Sequence, residues 1–175
     1  AAWVFPESSG ENTLGRILDF GSGDITMRTE VAMKLVFQSK WNGNNAVLWA
    51  TNASAMPVNQ WTHIAVTYDA TDASNDPVMY VNGAVAASSH VSGSKTGAYY
   101  GIVSQDTVIG GNLNADRTWD GNLADVSVWN DTISAENIKT LYQNNFIEHE
   151  LFDFDDKLLI KAVNYDLAIT RSGAS

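Results

Sequence analysis

The chain is predicted to be all-β, an antiparallel β-sandwich with one short helical turn. Short runs with a period of two recur along its length, and Gly, Asn, Asp, Ser and Pro clusters separate them at close intervals. Only one stretch, 135–142, has apolar residues at helical spacing. With 175 residues the chain is long enough for one domain with a substantial core, and short for two.

Taken in order, Ala1 to Phe5 reads as a strand stopped by Pro6. Glu7 to Gly15 is a polar loop, and Arg16 to Phe20 a short strand. The Gly21-Ser22-Gly23-Asp24 turn leads into Ile25 to Thr29. Val31, Met33, Leu35 and Phe37 alternate with Ala32, Lys34, Val36 and Gln38, the period of a strand. Trp41 to Asn45 reads as a hairpin tip, and Ala46 to Thr51 as the returning strand.

The stretch from Gln60 to Gly83 organises the rest. Trp61, His63, Ala65 and Thr67 alternate with Thr62, Ile64, Val66 and Tyr68, so both faces carry bulk and an interior strand is expected. Val78 to Asn82 follows, closed by Asn82-Gly83, a two-residue turn needing positive φ. Ala84 to Val91 reads as a small-residue strand and Ser92 to Gly101 as loop. Thr107 to Ile109 is a short strand, and Gly110 to Gly121 a long polar loop. In the next strand Ala124, Val126 and Val128 share one face, opposite Asp125, Ser127 and Trp129. Ser134 caps a helical turn from Ala135 to Tyr142.

Two blocks carry a family resemblance. Trp-x-His-Ile-Ala-Val-Thr-Tyr-Asp from Trp61, with Val-Met-Tyr-Val-Asn-Gly from Val78, resembles the heart of a laminin-G-like domain of the concanavalin-A-like jelly-roll class. Val108-Ile109-Gly110-Gly111-Asn112, then Trp119 to Asn130 and Ile133 to Ile138, resemble the family's later core strands and the helical turn after them. The resemblance implies a jelly-roll domain over 1–145. It also implies one more strand before Ala1, so a fragment or a processed chain is expected. Residues 146–175 form an extension, either closing strands of the sandwich (158–163 and 165–170) or a connection to another module. Many animal members carry a disulfide. This chain has no cysteine and in that respect resembles bacterial or viral members.

Ten basic against twenty acidic side chains give a net charge of −10. That field argues against nucleic-acid or anionic-membrane binding. Apolar runs are strand-sized, too short to span a bilayer.

A catalytic pair is not found. Retaining glycanases of this jelly-roll class place two carboxylates on one strand face. The nearest match, Glu150 to Asp155, sets Asp153 and Asp155 on one face and Glu150 on the other. No serine sits in a nucleophile elbow, and His63, His90 and His149 lack metal-ligand spacing. His63 is expected to be a core or sheet-surface histidine holding a hydrogen bond.

Calcium is the one cofactor that the resemblance admits, held at the sandwich rim by loop oxygens. Asn112, Asn114, Asp116 and Asp120 are the first candidates. Asp19 with Asp24, and the cluster Asp69, Asp72, Asn75 and Asp76, come next. The alternative for all of them is turn chemistry. For sugar recognition, which stacks a ring on an exposed aromatic, the candidates are Trp41, Tyr99, Tyr100 and Trp119, with Arg117 beside the last.

The expected function is therefore a non-catalytic module that recognises a glycan or another cell-surface ligand. It is expected to belong to a larger surface or virion protein, at an extracellular, cell-surface or virion location. The alternative is a structural accessory module (capsid decoration, tail fibre or adhesin domain) whose partner is protein. A glycanase comes third.

Overall fold

The computed structural model describes residues 1–21, 23–42, 45–101 and 106–144, and the backbone of 158–162. Strands are β1 (Ala2–Pro6), β2 (Arg16–Phe20), β3 (Ile25–Glu30), β4 (Lys34–Trp41), β5 (Asn45–Thr51), β6 (Thr62–Thr67) and β7 (Val78–Val81). They continue as β8 (Ala84–Val85), β9 (Ser88–Ser92), β10 (Thr107–Ile109), β11 (Gly121–Ala124), β12 (Val126–Trp129) and β13 (Leu158–Ala162). One helix, α1 (Ala135–Gln143), follows β12. Two antiparallel sheets form the sandwich, in the orders β11-β1-β6-β7-β8 and β10-β2-β3-β4-β5-β9, with β12–β13 a separate pair.

The core lies between the sheets and is built by the alternation seen in sequence. Leu35, Phe37 and Trp41 of β4, Val47 and Trp49 of β5, and Met27 of β3 face Ala2, Val4, Ile64 and Met79 of the other sheet. An aromatic belt runs through it. Phe37 and Trp49 are cross-strand partners with ring centroids 6.1 Å apart, and Tyr68 meets both, at 5.6 and 5.5 Å.

β6 is interior as expected, paired with β1 and β7. Its second face is covered by α1, where Ile138 packs with Ala65 and Tyr80, and Tyr142 stacks on Trp3 at 5.7 Å. Ser134 caps α1 by accepting from the Asn137 amide at 3.2 Å. Asn82 and Gly83 both have positive φ, 49° and 74°.

Three expectations are corrected. Residues 31–33 form a turn, with Ala32 and Met33 at positive φ and Val31 65% exposed, so β4 starts only at Lys34. The run from Ala84 to Val91 is two strands in different sheets: β8 pairs with β7, and β9 crosses over to pair with β5. The run around Ala124 to Val128 is broken at Asp125, whose φ of 48° ends β11, so Ala124 pairs with β1 while Val126 begins the separate β12–β13 pair. Beyond the helix, β13 pairs antiparallel with β12. No helix among the described residues is long and apolar enough to cross a membrane.

Candidate functional site

The face of the large sheet turned away from the core is polar across β2, β3 and β4. Regular alternation puts Thr26, Arg28 and Glu30 there from β3, and Gln38 and Lys40 from β4. Arg16 and Asp19, three apart, would lie on opposite faces of a regular strand. A register shift between Arg16 and Leu18 brings them to the same face and buries Ile17 as the extra residue.

These side chains form a continuous network. Arg16 pairs with Asp19, which also accepts from the Gly23 amide at 2.6 Å. Gln38 donates to the Gly23 carbonyl at 2.7 Å and accepts from Arg28 at 3.2 Å. Arg28 also reaches Thr26 at 3.3 Å and Glu30 at 2.9 Å, and Lys40 holds Asp24 at 3.0 Å. Burial raises the pKa of Asp19 above the ordinary carboxylate range, against the pull of Arg16 and of the Gly23 amide. The result is a largely buried set of donors and acceptors with charges balanced in pairs, Asp19 being 2% and Arg28 6% exposed.

The residues expected to bind sugar divide between the two ends of this sheet. Trp41, at the last position of β4, is 2% exposed, and its ring meets Tyr99 at 5.4 Å inside the sandwich. Burial pushes the Tyr99 hydroxyl up to about 12. Neither offers an open face to a ligand: residue 41 ends an inward-facing series (Leu35, Phe37, Ser39), and the Trp41–Tyr99 bridge draws Tyr99 in with it. Tyr100 is 37% exposed, and its amide donates to the Lys40 carbonyl at 3.1 Å, beside the polar face.

Arg117 and Trp119 lie at the other end. The Arg117 carbonyl accepts from the Arg16 amide at 2.9 Å, and Arg117 adds its charge to the field at Arg28. Trp119 is half-buried against the core. The polar face is thus bordered by Tyr100 at one end and Arg117 at the other. Sequence spacing had no means of finding Arg28 and Gln38, because an alternating polar face looks like ordinary solvated sheet.

Of the expected calcium ligands, the side chains of Asn112 and Asp116 are engaged in turn chemistry. Asn112 donates to Asp116 through its amide nitrogen, and its oxygen accepts from the amides of Asn114 and Asp116, each at 3.1 Å. Asn114 and Asp120 are exposed, and the Asp120 carbonyl accepts from Glu7. Asp69 accepts from Thr71, Asp72 from Ser74, and Asp76 from Lys95 and Trp49. Among the described residues no three His, Cys, Asp or Glu side chains converge. Calcium needs six to eight oxygens, so any site in these loops would draw most of them from Asn side chains and backbone carbonyls.

Replacing chelator with calcium is expected to leave Tm unchanged. A site at a hundredfold its Kd would add about 2.7 kcal/mol and raise Tm by roughly 5–10 °C. Differential scanning calorimetry in the two buffers checks this, and a rise of that size means that other oxygens hold the ion.

His63 is 2% exposed, edge-on to Trp3 at 5.4 Å, and burial lowers its pKa to about 3. It is a packed neutral imidazole. Its Nδ1 has no partner among the described residues, in contrast to the hydrogen bond expected. Glu150 to Asp155 and His149 lie outside the described residues.

The comparisons agree with this architecture. A solved structure of a proposed carbohydrate-binding protein from Bacteroides ovatus superposes with a TM-score of 0.64 at 18% identity, over 93% of this chain. The chain spans 43% of that protein's length. A heptameric SAP-like pentraxin from Limulus polyphemus superposes with a TM-score of 0.50 at 16% identity, covering 82% of this chain and 68% of the pentraxin. Among curated proteins no sequence matches. A laminin-G family model, described as the concanavalin A-like lectin/glucanases superfamily, matches residues 1–139, taking in both sheets and the start of α1. With the motif blocks, the sandwich and the family match in agreement, this chain belongs to the laminin-G branch of the concanavalin A-like lectin/glucanase superfamily.

Proposed function

We propose that the chain is a non-catalytic glycan-recognition module that acts at a cell or virion surface, and that the polar face of β2–β4 is its binding surface. The observation that carries this reading is the Arg16–Asp19–Gly23–Gln38–Arg28 network. Its buried pairs hold the partly exposed Arg16, Gln38 and Lys40 on the face that also carries the exposed ring of Tyr100, a combination that can orient sugar hydroxyls and a pyranose face. Two further points support it: the lectin-like family, and the carbohydrate-binding description of the Bacteroides neighbour.

The test is a broad glycan panel, probed with calcium and again with chelator. Arg28→Ala and Gln38→Ala are each expected to weaken binding about 10- to 100-fold, the loss of one or two hydrogen bonds to a bound ligand. Tyr100→Ala, at an exposed position, is expected to weaken binding without lowering Tm. Chelator is expected to change nothing. If no glycan binds under either condition, the chain is instead a structural module whose partner is another protein of its assembly.

A further inference from the structure

A second concavity lies away from the polar face, at the edge where β5 runs out beside the β7–β8 hairpin. Residues 51–55 and 57, with Gln60 and Thr62, face Val81, Asn82, Ala86 and Ala87 across a cleft of about 300 Å³. That is the lower end of the size range for small-ligand sites, with room for about one sugar ring. The cleft is held open by the backbone: the Ser54 amide donates to the Ala32 carbonyl at 2.7 Å, and the Asn52 amide to the Ala87 carbonyl at 3.2 Å.

Its chemistry is selective. No lining residue is charged, in a chain whose net charge is −10. The side chains of Asn52, Ser54 and Gln60 make no hydrogen bond among the described residues, unlike the Asn and Asp side chains that close turns at 69–76 and 112–116. Asn82 spends its oxygen on the His63 amide at 3.0 Å, and its amide nitrogen is left over. Thr62 is 1% exposed, with a hydroxyl that has no partner among the described residues. That hydroxyl is closed off from solvent, so the exposed side chains of Asn52, Ser54, Gln60 and Asn82 are the polar groups that face a ligand. Between these groups stand the methyls of Ala53, Ala55, Ala86 and Ala87. There is no aromatic ring, so stacking is not the mode of recognition here.

Uncharged amides and hydroxyls around a methyl-lined wall match a neutral ring that carries both hydroxyls and an acetamido group. We propose that this cleft binds one N-acetylhexosamine residue, as a subsite separate from the polar sheet face. The inference rests on the reading of the chain as a glycan binder but names a different surface.

The test is titration of the ¹⁵N-labelled chain with N-acetylglucosamine, N-acetylgalactosamine, glucose and N-acetylneuraminic acid, followed by amide shifts. The expected result is saturable movement of amides in 52–60 and 81–87 with an N-acetylhexosamine. Glucose and the anionic sugar should bind at least tenfold more weakly. Asn52→Ala and Gln60→Ala change exposed side chains and are expected to weaken binding about tenfold, with the spectrum otherwise intact. Ala87→Trp fills the cleft and is expected to abolish binding. Shifts confined to β2–β4 would overturn the cleft while leaving the proposed function standing. Equal affinity for glucose would overturn the acetamido assignment. No saturable shift with any monosaccharide, for a chain that still binds polysaccharide on the panel, would also sink the inference. A chain that binds neither monosaccharide nor polysaccharide loses both readings.

Discussion

Trp49→Ala is expected to destabilise the domain by about 3–5 kcal/mol, the range for emptying a buried aromatic site. Trp49 is 1% exposed at the centre of β5, and its ring meets Phe37, Tyr68 and His90. Its indole nitrogen donates to Asp76 at 3.1 Å, and the Lys95 ammonium sits 5.6 Å from its ring centroid. Removing the ring leaves a cavity between the sheets and also unties the 69–76 loop from β5. Trp49→Phe keeps most of the volume and is expected to cost clearly less. Urea denaturation read by circular dichroism checks both variants, with m compared to confirm two-state behaviour. A loss under about 1 kcal/mol for Trp49→Ala would mean that the sheets close over the gap and that the belt is not rigid.

The second large effect is a loss of stability in acid, centred on His63. Burial lowers its folded pKa to about 3. In the unfolded chain its pKa is about 6.5. Below pH 6.5 the unfolded state therefore takes up a proton that the folded state refuses. Stability falls as pH falls, by up to about 1.4 kcal/mol per unit, continuing toward the folded pKa. Over that window the loss is on the order of 5 kcal/mol.

Asp69, Asp72 and Asp76 are held below the ordinary carboxylate range, chiefly by hydrogen bonds from Thr71, Ser74 and Lys95, and act only in stronger acid. The His63 contribution is therefore read as a difference. Between pH 6.5 and 5, wild type is expected to lose stability more steeply than His63→Phe, whose ring fits between Trp3 and Tyr142. Parallel slopes for the two proteins would show that His63 protonates in the folded state and is not buried as described.

Local information in the sequence determined most of the architecture. Period-two alternation placed β2, β3 and β5 to β7, because a strand must send alternate side chains into the core whatever its partner is. Asn82-Gly83 declared its hairpin by backbone chemistry, and Ser134 its helix, and both stand where they were read. The site was less legible. Trp41 and Tyr99 looked like loop aromatics, yet residue 41 is in phase with Leu35 and Phe37, so its ring belongs to the core. Asn112 and Asp116 have the composition of a cation loop, and the hydrogen bond between them is set by loop geometry that spacing does not encode.

The laminin-G-like sandwich is written in local pattern: its alternation, its turns, the helix at 135–143 and its family. Tertiary structure alone decided which polar groups meet. The irregularity at Ile17 puts Arg16 beside Asp19, and the crossing after Ala86 carries the chain from one sheet to the other past the cleft. The physical reason is range. Alternation and turn propensity act over a few residues, whereas register, sheet switching and the approach of distant loops are set by how two whole sheets pack.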